Sequence, residues 1–165
     1  MTIDLRSIGP KRDGTEPSTQ YAAICWRVVK DGVQVLLITS RETGRWVLPK
    51  GWPINGMSPE NSAAREAWEE AGVRGKVDPH CLGLYSYDKA IGPTRSPMPC
   101  VVAVYGLKVQ ELSSRFPERK ERRRKWFSPQ KAASKVDEPE LQMLLSGITL
   151  ADDRSLKTSP TPTQK

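Results

Sequence analysis

The segment that most constrains this chain is a short helix with three carboxylates on one side. The helix is predicted to begin at Ser58, because serine favours the N-cap and the proline that follows suits the first helical position. It is predicted to end at Gly72, since glycine adopts the left-handed conformation without penalty. At helical spacing, small and apolar residues cover one side, and Glu66, Glu69 and Glu70 gather on the other.

Like charges three and four residues apart on a helix repel one another, and a bound cation would remove that repulsion. Hard divalent ions such as Mg²⁺ take oxygen ligands, keep several waters and contact substrate phosphates at the same time. The acidic side therefore indicates either a divalent-metal site or an ordinary acidic helix surface. The spacing of the carboxylates does not separate these two interpretations.

The stretch around this helix resembles the Nudix box, a pattern of Gly, five residues, Glu, seven residues, Arg-Glu, an aliphatic residue, any residue, Glu-Glu, any residue, Gly and an aliphatic residue. The residues that fall in register are Gly51, Arg65, Glu66, Ala67, Glu69, Glu70, Gly72 and Val73. The chain departs from the pattern at Met57, where the first Glu is expected. The flanking segments TSRETGRWVLPKGWP and KWFSPQKAA resemble the diphosphoinositol-polyphosphate-hydrolase-like branch of the family.

Several strand-like runs and two helices that follow the box indicate a mixed α/β domain. The resemblance implies the Nudix-type α/β/α sandwich, with a mixed sheet and the box as a catalytic loop–helix–loop. Residues 20–148 are predicted to form this domain, with long loops at 88–99 and 110–120. Residues 1–19 and 149–165 are rich in charged residues, Gly, Pro, Ser and Thr, and are predicted to be flexible tails.

The chain is basic, with a net charge of +7, and the segment from Arg115 to Lys125 carries seven bases against two acids. This segment indicates either a polyanionic partner or a solvated basic loop. The three cysteines are scattered without a Cys-x-x-Cys pair, which is typical of reduced thiols. With no apolar signal core and no membrane-spanning run, a cytoplasmic location and no membrane association are predicted.

The resemblance implies Mg²⁺ or Mn²⁺ as cofactor and assigns roles within the box. Glu66 and Glu70 are expected to be the main metal ligands, with Glu69 as a third ligand, direct or through water. The carbonyl group of Gly51 is expected to be a main-chain ligand. Arg65 is expected to orient the carboxylates by a salt bridge, and any of the three glutamates is a candidate catalytic base.

Basic residues outside the box are predicted to bind the substrate. Arg41, Arg45 and Lys50 stand in the segment TSRETGRWVLPKG, whose bases lie near the site in the branch that the chain resembles, and an arginine such as Arg41 can clamp phosphate groups in a bidentate manner. Many Nudix enzymes recruit one more glutamate from outside the box. Three acidic residues are candidates for this role: Glu118, Glu121 and Glu138. Glu121, just before RRRKWF, is the one predicted as a possible extra carboxylate.

The predicted function is metal-dependent hydrolysis of a diphosphate linkage in a highly phosphorylated small molecule, of the diphosphoinositol polyphosphate or dinucleoside polyphosphate type. A pyrophosphohydrolase acting on RNA 5′ ends is one alternative, since the basic segment suits RNA. A non-catalytic polyphosphate-binding module on the same scaffold is another, because Met57 replaces the first glutamate of the box. The sequence leaves both a monomer and a dimer open.

Overall fold

Two strands with long apolar runs form the centre of the sheet. Both faces of a central strand are covered, so it must be apolar on both sides. The computed structural model describes residues 17–30 and 32–159. The strands of the main sheet are β1 (Ser18–Val29), β2 (Gly32–Thr39), β3 (Trp46–Val47), β4 (Lys50–Gly51), β5 (Val73–Lys89), β6 (Met98–Leu112) and β7 (Arg124–Phe127). The helices are α1 (Pro59–Ala71), α2 (Pro129–Lys135) and α3 (Pro139–Ser146), and β8 (Thr149–Leu150) and β9 (Leu156–Lys157) form a separate hairpin.

The main sheet of the described residues has the strand order β3-β2-β1-β6-β5, with β4 paired to β1 and β7 paired to β2. The central pair, β1 and β6, is parallel, and every other pair is antiparallel. The sheet is therefore mixed, as predicted. The antiparallel β4 lies beside β1, where Tyr21 faces Gly51, and this pairing fixes the start of the box against the centre of the sheet.

Helices cover both faces of the sheet, and each face has its own apolar core. On one face, α1 packs through Ala63, Ala67 and Ala71, and their small side chains let the helix approach the strands closely. On the other face, α2 and α3 pack through residues such as Ala132 and Leu141. The predicted α/β/α sandwich is confirmed.

Helix α1 has the predicted bounds. Gly72 follows its last residue with a φ of 69°, a left-handed conformation that favours glycine, and its N–H donates to the Trp68 carbonyl at 3.0 Å. Ser58 stands at the N-cap, but its hydroxyl makes no capping bond. Within the described part of the chain, the buried Ser58 Oγ has no hydrogen-bond partner.

The hairpin of β5 and β6 is longer than the sequence indicates. The predicted loop 88–99 is reduced to residues 90–97, because Asp88 pairs with Pro99 and Lys89 pairs with Met98. Residues 110–112, predicted to begin the second loop, still belong to β6. The local composition did not predict either extension of the strands. Whether these polar residues are in a strand depends on pairing with a partner strand and not on their own polarity.

The prediction of a flexible tail from residue 149 is wrong for residues 149–159. Strands β8 and β9 pair with each other, and the Ser159 N–H donates to the Gly147 carbonyl at 3.0 Å. Leu156, which is only 8% exposed, packs into the core beneath α3. Leu156 is a single apolar residue in a polar segment, so the sequence shows no hydrophobic periodicity that would predict its burial. Residues 160–165 and 1–16 of the predicted tails lie outside the described residues, and Ser18 and Thr19 already belong to β1.

Leu156→Ala is expected to lower the free energy of unfolding by about 2–3 kcal/mol, because it leaves a cavity in the core. Urea denaturation followed by tryptophan fluorescence measures this change. Leu112→Ala removes the same groups from a side chain that is 36% exposed, and serves as the matched control with a smaller expected loss. Equal stability of Leu156→Ala and the wild type would mean that the hairpin contributes nothing to the fold.

No helix in the described parts of the chain has the length and apolar character that a membrane crossing requires.

Candidate active site

A cavity of about 640 Å³ lies at the edge of the sheet beside α1. Its walls come from the loop after β2, the box loop at residues 50–54, helix α1, the end of β5 and the connection between β6 and β7. Most of its charged lining is contributed by segments far apart in sequence. The sheet brings them together because β4 lies against β1 and β7 lies against β2.

Glu66 and Glu70, one helical turn apart on α1, point into this cavity. Glu70 is only 6% exposed, and its carboxyl group lies beside that of Glu66. Burial raises the pKa of Glu70 to about 8, against the lowering effect of the Arg122 guanidinium. Burial also raises the pKa of Glu66.

Arg65 and Glu69 lie outside the cavity. The Arg65 Nε atom is 3.1 Å from the Glu69 Oε1 atom, and both side chains are partly exposed. Arg65 lines a separate hollow on α1 together with Met57 and Trp68. The structure therefore divides the four charged box residues into a pair that faces the cavity and a pair that does not. Met57, the departure from the pattern, belongs to the second side.

Gly51 lies directly against the carboxyl group of Glu66. A methyl group in place of its Hα would collide with the Glu66 side chain, so this close approach requires a glycine. Gly51 also lines the cavity beside Glu66 and Glu70. The main chain of the box loop and the two carboxylates of α1 therefore meet at one point.

This donor set suits a magnesium-like ion that retains water. Within the described part of the chain, no three Asp, Glu, His or Cys side chains converge as a complete metal cage. Mg²⁺ is usually held by one or two carboxylates, with waters and substrate phosphates completing its octahedron. Glu66, Glu70 and the adjacent main chain of Gly51 fit that mode of binding, and Glu69 is turned away from it.

Basic side chains surround the carboxylate pair. The cations that line the cavity are Arg41, Arg45, Lys50, Lys89 and Arg122. The ammonium of Lys50 lies 5.2 Å from the centre of the Tyr87 ring, and burial lowers the pKa of this ammonium to about 8, although Glu70 raises it. Arg45 is held by Glu138, with 2.8 Å between Nη1 and Oε1. The three predicted substrate-binding residues therefore share one cavity.

Arg122 is the internal counter-charge of the site. Its Nη2 atom lies 3.4 Å from Glu70 Oε1 and 3.0 Å from Glu118 Oε1, and its Nη1 donates to the Thr39 carbonyl at 3.1 Å. The side chain of Arg122 is 10% exposed. The sequence predicted a binding role for the basic segment 115–125 as a whole. No feature of that segment distinguished Arg122 from the neighbouring basic residues.

Glu118, and not Glu121, is the extra carboxylate that lines the cavity. The N–H of Glu118 donates to the Glu69 carbonyl at 3.0 Å, which ties its loop to α1. Glu121 is half exposed, and its Oε2 atom is 3.6 Å from an Arg41 nitrogen. The two acids are three residues apart in a turn, and only the anchoring of that turn on α1 decides which of them faces inward.

The family profile described as "NUDIX domain" matches residues 18–145. Nudix hydrolase 16, mitochondrial, of Arabidopsis thaliana is 38% identical over 139 residues, which are 83% of this chain and 71% of that protein. Diphosphoinositol polyphosphate phosphohydrolase 3-alpha of Homo sapiens is 32% identical over 117 residues, which are 67% of this chain and 64% of that protein.

A solved structure of a C. elegans Ap4A hydrolase binary complex is similar with a TM-score of 0.57 at 22% identity, covering 78% of this chain and 92% of that one. This similarity concerns the fold. The chain therefore belongs to the Nudix family, and the predictions of the Nudix fold and of a hydrolase are both confirmed. The chain spans less than two thirds of the human relative's length.

Proposed function

We propose that this protein hydrolyses a diphosphate linkage in a highly phosphorylated small molecule, with Mg²⁺ or Mn²⁺ as cofactor. The observation that carries the proposal is the pair of buried carboxylates, Glu66 and Glu70, in a cavity whose walls are strongly basic. Acids alone would suit a cation site, and bases alone would suit an anion site. Both together suit a phosphate chain that binds with a divalent ion.

In this proposal Glu66, Glu70 and the main chain of Gly51 hold the ion. A divalent ion supplies charge neutralisation at phosphate and lowers the pKa of bound water. Lys50 and Arg41 donate to non-bridging phosphate oxygens and fix the diphosphate in the cavity. Water forms the new bond to phosphorus, its proton passes to a carboxylate oxygen of Glu66 or Glu70, and the bridging oxygen leaves with the electrons of the broken P–O bond.

Two observations favour a hydrolase of small polyphosphates over the other interpretations. Met57, which suggested a non-catalytic binding module, lies outside the cavity that Glu66 and Glu70 line. The human relative is named for diphosphoinositol polyphosphates, which carry many phosphates and match the basic walls. Hydrolysis of RNA 5′ ends has the support of the basic segment alone. A cytoplasmic location stays a prediction, since the Arabidopsis relative is named as mitochondrial.

Phosphate release from a substrate panel tests the proposal. The panel contains a diphosphoinositol polyphosphate, diadenosine polyphosphates, ADP-ribose, nucleoside triphosphates and triphosphorylated RNA, each with Mg²⁺, with Mn²⁺ and with chelator. We expect metal-dependent turnover, fastest on a small molecule with many phosphates. Fastest turnover on RNA would support the RNA alternative. Tight binding of one compound without turnover of any would support the binding module.

Lys50→Gln is expected to lower kcat/KM about 10- to 100-fold, because it removes a hydrogen bond to a charged group worth about 1.5–3 kcal/mol. Initial rates on the best substrate of the panel measure the effect. Lys108→Gln is the matched control, since Lys108 lies over the Trp26 ring away from the cavity. Equal losses in the two variants would assign the effect to net charge and not to phosphate binding.

A further inference from the structure

A second basic pocket of about 400 Å³ lies beside the cavity, where α1 ends. The residues that line it are Ser114, Phe116, Arg119, Lys120, Arg122 and Arg124. We call it the outer basic pocket. Its charged lining residues are all cations, whereas the active-site cavity mixes cations with carboxylates. Four cations around one hollow repel one another unless an anion stands between them.

Two of these cations already have partners in the protein. The Arg124 Nη1 atom donates to the Ala71 carbonyl at 2.7 Å, and its guanidinium lies 4.9 Å from the centre of the Phe116 ring. Arg122 holds Glu70 and Glu118. Arg119 and Lys120 differ, because both are exposed and neither has a carboxylate within 4 Å among the described residues. They are the charges available to a ligand.

The backbone that carries these residues is anchored. The Ser113 N–H donates to the Gly72 carbonyl at 2.8 Å, and the Glu118 N–H donates to the Glu69 carbonyl at 3.0 Å. A side chain at Gly72 would collide with Phe116, so the connection packs tightly on the end of α1. A ligand in the pocket therefore meets cations whose main chain is already ordered, which lowers the entropic cost of binding.

Arg122 belongs to both hollows, since it lines the cavity and the outer basic pocket. We propose that the outer basic pocket is a second phosphate-binding site, which takes a phosphate group through Arg119 and Lys120, while the paired Arg122 adds positive charge to its wall. Arginine matches phosphate geometry with two parallel N–H donors, and lysine adds a compact charge.

Two kinds of ligand could supply the phosphate group that the outer basic pocket binds. It belongs either to the distal end of a long substrate whose diphosphate lies in the cavity, or to a separate phosphate compound. The first source rests on the proposed function, and the second does not. In both cases Arg122 connects the ligand to Glu70, because one guanidinium contacts the carboxylate and lines the pocket.

Calorimetric titration of the full, metal-free chain with inorganic tripolyphosphate tests the site. The double variant Arg119→Ala with Lys120→Ala is compared with Arg115→Ala with Lys125→Ala, which removes the same charge from the same segment outside the pocket. We expect the first variant to lose one of two binding events or to bind at least tenfold more weakly, while the control stays within about twofold of the wild type. Equal binding by both variants overturns the proposal, with thermal unfolding confirming that both are folded.

A kinetic arm separates the two sources. If distal phosphates of the substrate reach the pocket, the Arg119/Lys120 variant raises KM for the longest substrates of the panel and leaves KM for the shortest unchanged. If a separate phosphate fills it, KM is unchanged, and added tripolyphosphate alters the rate of the wild type but not of the variant. Because the titration needs no turnover, it distinguishes failure of this site from failure of the proposed hydrolysis.

Discussion

Glu70→Gln is expected to abolish metal-dependent turnover, with a loss on the order of 10²- to 10⁴-fold in kcat/KM. Glu70 lines the cavity beside Glu66 and is 6% exposed. The amide keeps the size of the side chain but removes the negative charge that a divalent ion requires. Initial rates at saturating Mg²⁺, measured on the best substrate of the panel, give the size of the loss.

The same variant separates metal binding from folding. In metal-free buffer its Tm is expected to stay close to that of the wild type, because the amide relieves the contact between two buried carboxyl groups and Arg122 keeps its ion pair with Glu118. The rise in Tm that Mg²⁺ gives the wild type is expected to be absent, since ligand-induced stabilisation follows affinity for the folded state. Glu60→Gln, on the same helix, is the control. Full activity of Glu70→Gln would contradict the assignment of the cavity as the active site.

Gly51→Ala is expected to lower kcat about 100-fold while the protein still folds. The added methyl group occupies the place of the Glu66 carboxyl group, and a flexible side-chain end can move away at little cost to stability. A displacement of about 1 Å from the productive geometry costs roughly 10²-fold in rate. Steady-state kinetics measure the rate, and a metal titration followed by Tm shows whether affinity for the ion falls with it.

Gly106→Ala is the matched control for this substitution. Gly106 lies within β6, where the nearest atom to an added methyl group is 3.5 Å away, an ordinary van der Waals contact. Its activity is expected to stay near that of the wild type. If Gly51→Ala were as active as the wild type, the close approach of Gly51 to Glu66 would have no part in the chemistry.

The sequence predicts the local part of this site well, because its signals are local. Helix α1, with Ser58 before it and Gly72 after it, follows from capping preferences and helical spacing within one stretch. The same spacing places Glu66 and Glu70 on one side. Helical spacing also predicted Glu69 on that side. In the structure Glu69 pairs with Arg65 outside the cavity, because successive residues of a helix point about 100° apart.

The remaining parts of the site depend on contacts across the fold. The choice between Glu118 and Glu121 is made by a backbone hydrogen bond to Glu69, some fifty residues earlier in the chain. The inward position of Arg122 depends on the Thr39 carbonyl of another strand. Neither has a periodic or capping signature. The same reason explains why the packing of Leu156 into the core was missed.

The Arg122 guanidinium means that the chain carries its own counter-ion. Since Arg122 lies beside both Glu70 and Glu118, the polypeptide is expected to reach its native state without a divalent ion. In the proposed hydrolase, binding of a divalent ion would replace one cation with another, and the free energy of displacing the guanidinium would lower the apparent affinity for the ion. Native protein is therefore expected to form in cells before the ion is bound, the ion is expected to add stability to a fold already present, and the proposed activity is expected to follow the free concentration of the ion.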